Sequence, residues 1–148
     1  MKRFVLLPLI FALVLTFSGC GEKQPLNKDA VREDILKNVT FEVELEKVGD
    51  NAVSVMFTLE DGVTAEIYKG SSVYPDQFGI FTAPDSAKAK ATKKMLEEYK
   101  QSLLTDYSHY NAEQLSKIED AVIYTRGNDV VFVICDQNDK AKEIINTH

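Results

Sequence analysis

Histidine and cysteine, the side chains used most often as base, nucleophile or zinc ligand, occur only twice each in these 148 residues. They are His109, His148, Cys20 and Cys135. His109 stands in Tyr107-Ser108-His109-Tyr110, next to a serine and close to Asp106. A Ser–His–Asp triad needs three groups converging in space, with the nucleophile held against the base. Neighbours at a helix end point in different directions, and no Gly-x-Ser-x-Gly elbow is present, so His109 is expected as a solvated helix-end residue. Cys135 closes an apolar run and adjoins Asp136, whereas a reactive thiol wants cationic neighbours; it is expected as a packing residue. Asp136-Gln137-Asn138-Asp139 begins like a calcium loop. Yet Lys140 stands at the fifth position, Ala141 where glycine makes the turn, and Thr147 where a bidentate glutamate belongs. Helix capping accounts for these residues better. Two histidines and one free cysteine do not make a structural zinc site of the usual kind. No catalytic residue, metal ligand or cofactor is therefore assigned.

Cys20 is a different case. Lys2 and Arg3 precede an apolar run over residues 4–17, interrupted by Pro8 and Thr16, and small Ser18 and Gly19 lead into Cys20. As a helix the run spans about 21 Å at ~1.5 Å per residue, short of the ~30 Å hydrocarbon core. It suits a secretory leader better than a permanent span. Its end resembles the lipobox of bacterial lipoproteins, with Phe17 where leucine is usual. The resemblance implies that the Cys20 thiol receives a diacylglyceryl group and that cleavage leaves Cys20 as the new N-terminus. Acyl chains contribute about 0.8 kcal/mol per buried methylene, and two of them anchor a small domain stably. The expected organisation is a leader over residues 1–20, a polar tether over 21–28 and one domain over 29–148, held at the outer face of the membrane.

Composition fits that address. Loss of the leader ahead of Cys20 removes Lys2 and Arg3, so the formal charge moves from −6 to −8. An acidic domain has no electrostatic footprint for nucleic acid, and anionic lipid repels it on average. With Cys20 acylated, Cys135 has no partner for an intrachain disulfide, so packing alone must hold the fold; 45% apolar residues are enough for a core. The size suits one domain, not the two that close around a ligand in a transporter's solute-binding protein. The one local basic surface is formed by Lys88, Lys90, Lys93, Lys94 and Lys100. These lysines oppose the helix dipole and precede Glu97 and Glu98 in the less favourable order. Lys90, Lys93 and Lys94 are thus a candidate binding surface for anionic wall polymers or lipid headgroups, beside the plainer reading of a solvated helix face.

The elements that position these residues follow from periodicity. Asp29 is placed to cap a helix over residues 30–39, with Val31, Ile35, Leu36 and Val39 on one stripe. Phe41, Val43 and Leu45 alternate with glutamates, the period of a half-exposed strand. Val53, Val55, Phe57 and Leu59 alternate too, which leaves residues 50–57 open between a strand after a hairpin turn and a short capped helix. Strands are expected over 63–68 and 77–83. Asp85 then caps a long helix over 86–107, with Ala87, Ala91, Met95, Leu96, Tyr99, Leu103 and Tyr107 inward. Tyr68, Tyr74, Phe78 and Phe81 are groove candidates, although core packing is the simpler role for the phenylalanines. Strands over 121–125 and 130–135 flank a turn in which Gly127 and Asn128 both tolerate positive φ. The run Val130-Val131-Phe132-Val133-Ile134 is apolar on both faces, as in a central or helix-covered strand. Asp136 or Asn138 would cap a last helix to about residue 146. The order predicts an α+β two-layer sandwich, its sheet mostly antiparallel with four to five strands, carrying one long helix and one or two shorter ones.

Several stretches of the second half follow one pattern: Gln77-Phe78-Gly79-Ile80-Phe81, the Lys/Glu-rich helix, Tyr110-Asn111-Ala112-Glu113, Lys117-Ile118-Glu119-Asp120-Ala121-Val122, and Gly127-Asn128 before a β-rich run. They resemble a family of small uncharacterised lipoproteins from Gram-positive bacteria, the domain of unknown function DUF 4358. The resemblance covers residues 63–145 and implies a short helix ahead of Phe57-Thr58-Leu59. It also implies a glutamate after Asp76 and a proline at 112 in many relatives, where Gln77 and Ala112 stand here. If that glutamate is chemical elsewhere, its loss favours a structural role in this chain. The resemblance brings no activity with it. The function expected from the sequence is a membrane-anchored extracytoplasmic lipoprotein, a non-enzymatic binding or accessory module of the cell envelope. Its partners would be the bilayer through acylated Cys20 and an envelope protein or wall polymer, with no nucleic acid. The alternative is a small envelope enzyme, a hydrolase or transferase accessory, with an unidentified active site.

Overall fold

A computed structural model describes residues 24–148. The leader, Cys20 and the start of the tether lie outside the described residues. The remainder is an α+β fold around a five-stranded, wholly antiparallel sheet in the order β1-β2-β3-β5-β4. The strands are β1 (Glu46–Lys47), β2 (Thr64–Lys69), β3 (Gln77–Thr82), β4 (Val122–Arg126) and β5 (Asp129–Ile134). The helices are α1 (Lys28–Asn38), α2 (Asp50–Met56), α3 (Ser86–Tyr110), α4 (Leu115–Glu119) and α5 (Asn138–Thr147), with a 3₁₀ turn at Ala112–Gln114 ahead of α4.

Alternation along the two central strands divides the core. Phe78, Ile80, Val131 and Val133 face Val31 and Ile35 of α1 and Ala141 and Ile145 of α5. Phe81, Val130, Phe132 and Ile134 face Leu96, Leu103 and Tyr107 of α3 and Ile118 of α4. Each such side chain contributes about 1.5–3 kcal/mol by leaving water. Helices therefore cover both faces of the sheet, giving three layers where two were expected. The run from Val130 to Ile134, apolar on both sides, requires that double cover.

Local chemistry explains the boundaries. Asp85 caps α3 by accepting from Lys88 N at 2.8 Å, as its sequence suggests. The face that α3 buries centres on Ala89, Thr92, Leu96, Leu103 and Tyr107, and Ala87 is exposed instead of inward. Asn27, not Asp29, caps α1, accepting from Ala30 N at 3.2 Å, and Leu36 on that helix is 37% exposed. Gln137 stands at the α5 cap position without a side-chain cap hydrogen bond, while Asp136 meets Lys117 and Asn138 accepts from Cys135. In the β4–β5 turn only Gly127 takes positive φ, at 57°. Residues 50–56 are helical, with Val55 87% exposed, so their alternation does not report a strand.

The segment 41–45 is the clearest departure. Phe41, Val43 and Leu45 are partly buried between exposed glutamates, but ladder pairing is confined to Glu46 and Lys47. Alternation there reports burial without a strand. Val43 lies so close to Gly70 that a Cβ on that glycine would sit 2.2 Å from Val43 Cγ2.

One end of the sheet receives the start of the domain. Asn27 N donates to His148 O at 3.2 Å, and Lys28 Nζ donates to Thr82 Oγ1 at 3.0 Å, where the Thr82 hydroxyl in turn donates to Asp129. From Thr82 the β3 strand runs to Gln77 at the opposite end, a length of roughly 17 Å at ~3.4 Å per residue.

Candidate functional site

The opposite end, where β3 begins, holds buried Lys117 and half-buried Lys69. Asp76, on the loop into β3, is fully buried. Its Oδ1 accepts from Glu42 N at 3.0 Å and its Oδ2 from Lys117 Nζ at 3.1 Å. Lys117 on α4, its side chain 6% exposed, reaches Glu42 Oε2 at 2.7 Å and Asp136 Oδ1 at 3.2 Å as well. Gln114 Nε2 adds a donor to the same Glu42 oxygen at 3.1 Å. Burial alone would lower the Lys117 ammonium, but its contacts with Glu42, Asp76 and Asp136 prevail and hold it above the ordinary lysine range. The hydrogen bond from Lys117 in turn keeps the Glu42 carboxyl below the usual glutamate range. One cation thus ties together four segments distant in sequence: 41–45, 70–76, α4 and the β5–α5 turn.

A cleft of about 510 Å³ opens nearby between α3 and the loop 70–76. Tyr99, Leu103 and Tyr107 of α3, Met56 of α2 and Lys69 of β2 supply its walls, with Ser72, Asp106, His109 and Tyr110 toward the loop. The loop is fastened to the end of α3 by Tyr107 and Tyr110, whose hydroxyls donate to Ser72 O at 3.1 and 2.9 Å. Asn111 Nδ2 donates to Val73 O at 3.2 Å. Buried Gln77 joins cleft and clamp: it donates to Pro75 O at 3.2 Å and accepts from the Tyr99 hydroxyl at 3.3 Å.

Lys69 is the unusual group here. Val63, Ala65 and Ile67 set the inward row of β2, and strand alternation puts Lys69 next on that row, facing α3. Among the described residues, no acceptor lies within hydrogen-bond or ion-pair distance of its ammonium. Burial pushes Lys69 below the ordinary lysine range, and the field of Asp76 only partly opposes this. Burial likewise raises the Tyr99 and Tyr107 hydroxyls.

A family model described as domain of unknown function DUF4358 matches residues 37–135. The chain belongs to this family. No curated protein and no solved structure matches it. The DUF4358 match contains Glu42, Lys69, Asp76, Tyr99, Tyr107 and Lys117, and stops one residue before Asp136. At position 77, where the family resemblance implies glutamate in many relatives, this DUF4358 chain buries an amide between the clamp and the cleft.

The residues singled out by sequence are scattered. Ser108 donates to Thr105 O at 2.7 Å within α3, so Ser108, His109 and Asp106 form no triad, although His109 and Asp106 both line the cleft. Cys135 is fully buried and points its thiol at Asn138 Oδ1, 3.5 Å away, with burial pushing it up to about 11. Asp136 is engaged by Lys117, and Gln137 accepts from Thr40 N at 2.9 Å, so the calcium-like stretch serves the fold. Lys90, Lys93 and Lys94 are exposed on α3, the latter two facing Glu97 at 3.7 Å and Glu98 at 3.5 Å. Phe78 and Phe81 are core, and Tyr68 donates to Glu66 on the sheet's other face. Cys20 lies outside the described residues. Sequence reasoning missed both Lys69 and Lys117. A lysine continuing the row Val63, Ala65, Ile67 is a visible break in pattern, whereas nothing local marks Lys117.

Proposed function

We propose that this DUF4358 protein is a membrane-anchored extracytoplasmic lipoprotein, carried on acylated Cys20, and that it acts as a non-enzymatic binding module of the cell envelope. The observation that supports the binding reading is the Lys69 cleft. A concave site of ~300–1,000 Å³ with aromatic walls and a few polar groups is the usual form of a small-molecule site. Here the volume is about 510 Å³, and the walls combine tyrosines with an ammonium that has no hydrogen-bond or ion-pair partner among the described residues. Lys90, Lys93 and Lys94 remain a secondary surface, because Glu97 and Glu98 already offset two of them. The address rests on the sequence around Cys20. Metabolic labelling with a fatty-acid analogue should mark the wild-type chain and not Cys20→Ser; equal labelling of both removes the anchor.

The enzyme alternative has one observation in its favour. A lysine held below its usual range and a tyrosine held above its own line the same cleft, as groups used in proton transfer often do. Lys69→Arg separates the two readings. Arginine keeps the positive charge, so a binding site tolerates it, but it stays protonated and serves neither as base nor as nucleophile. Retained binding with Lys69→Arg supports the module. A reactive amine, seen as selective acylation of Lys69 ahead of the exposed lysines at neutral pH, supports the enzyme.

A further inference from the structure

The binding reading leaves the ligand unspecified, and the inference here rests on that reading. We propose that the cleft takes a small ligand with an anionic head, carboxylate or phosphate, carried on a flat apolar ring. Lys69 is the counter-ion of the head, and the tyrosine-lined wall of α3 receives the ring. Three observations carry this.

The first is the isolation of Lys69. Other described lysines either have a partner or stand in solvent. Lys117 has three carboxylates, Lys47 has Glu66 at 2.7 Å, and Lys100 has Glu119 O at 2.5 Å. Lys37 and Lys90 have no ion pair, but both are exposed. Lys69 alone among them is partly buried with neither partner nor full solvent. A desolvated ammonium of this kind is a poor stabiliser and a good anion receptor, because an incoming anion supplies the missing charge where water screens little.

The second is the character of the walls. Half-buried Tyr99 and nearly buried Tyr107 contribute aromatic side chains to the lining, and Leu103 and Met56 are apolar. Aromatic faces favour offset or edge contacts with another ring, worth about 0.5–1.5 kcal/mol beyond burial. The carboxylate of Asp106 also lines the cleft, on α3, so an anionic head is directed to the Lys69 side.

The third is the rim. Four large apolar residues are prominently exposed among the described residues: Leu36, Val55, Val73 and Tyr110. Of these, Tyr110 lines the cleft. The exposed ring of Tyr110 at the cleft is apolar surface that a ligand with an apolar body would cover.

The test uses the full-length chain in neutral-lipid nanodiscs, with the Met56 methyl as an NMR probe of the cleft. Four compounds are titrated: phenyl phosphate, benzoate, inorganic phosphate and benzyl alcohol. The proposal expects saturable shifts with phenyl phosphate or benzoate, at least tenfold tighter than benzyl alcohol and inorganic phosphate. Lys69→Met should weaken the anionic ring compound tenfold or more, and Lys69→Arg by no more than about threefold. The stronger of phenyl phosphate and benzoate identifies the head as phosphate or carboxylate. Equal binding of the charged and neutral ring compounds, unchanged in Lys69→Met, would overturn the anionic class while leaving a binding cleft. Inorganic phosphate matching phenyl phosphate would overturn the ring. No saturable shift with any compound would overturn the cleft, and the binding reading with it.

Discussion

Lys117 and Lys69 meet the same end of the sheet, one held by three carboxylates and the other by none. Both are withdrawn from water, and the residue between them is the same Asp76, which bonds Lys117 at 3.1 Å and reaches Lys69 only through its field. Burial lowers both ammonium groups; only at Lys117 do contacts reverse it. The difference separates a charge that holds the fold from a charge the fold leaves available. At Lys117 three carboxylates take up the three N–H donors of the ammonium, which leaves the cation nothing for a ligand. In Lys69 the fold keeps a cost that a sequence selected only for stability would remove.

The largest expected effect breaks the clamp. Lys117→Met strands buried Asp76 without its counter-charge and should cost about 3–5 kcal/mol in urea unfolding. Wild-type stability in that variant would erase the distinction between the lysines. Next comes the contact under which the segment 41–45 lies. Gly70→Ala puts a methyl against Val43 and should cost about 1–3 kcal/mol, largely recovered when Val43→Ala is combined with it. Lys69→Met should act in the opposite direction, stabilising by about 0.5–2 kcal/mol, since it replaces an unpaired ammonium with an apolar chain among Tyr99, Leu103 and Met56. Alkali sharpens the contrast. The Lys69 value is lowered in the fold, so its penalty is complete below that value and fades as pH rises to about 10.4, the unfolded lysine value. The Lys117 value is raised, so its contribution is complete below about 10.4 and is lost only as pH passes its folded value. Denaturation followed from pH 7 upward should therefore show Lys69→Met losing its advantage before wild type loses the clamp. The smallest effect is on the helix surface. Lys93→Ala and Lys94→Ala should stay within about 0.5 kcal/mol of wild type, as exposed pairs with Glu97 and Glu98 contribute little.

What the sequence discloses depends on how far apart the cooperating residues lie. Gln77–Thr82, Asp129–Ile134 and the long α3 follow from local periodicity and from Asp85, and all three stand where they were expected. The same periodicity overreaches at Phe41, Val43 and Leu45, because alternation reports which side is buried and not whether a neighbouring strand is there to pair. At Val53 and Val55 it leaves strand and helix open, because a seven-residue helix is too short to show its own period, and the helix that the family resemblance implied is the one that forms. Helix α4 went unforeseen for the same reason, at five residues. Lys69 was open to view as the charged member of an apolar row. Lys117 was not, since its carboxylates come from positions 42, 76 and 136 and only the completed fold assembles them.

The bonds from Asn27 to His148 and from Lys28 to Thr82 have a bearing on how the molecule would stand at a surface. They bring the chain into the domain at the Thr82 end of the sheet, while Lys69 and Gln77 mark the far end, roughly 17 Å of strand away. Leu26 is already packed in the core, so a leash to Cys20 would run over residues 21–25 only, at most ~17 Å at ~3.4 Å per residue. If Cys20 is lipid-held as proposed, the domain would have its Thr82 end nearer the bilayer and its cleft end facing away from it. Its catch would then come from the wall side, and the bilayer would serve only as the floor.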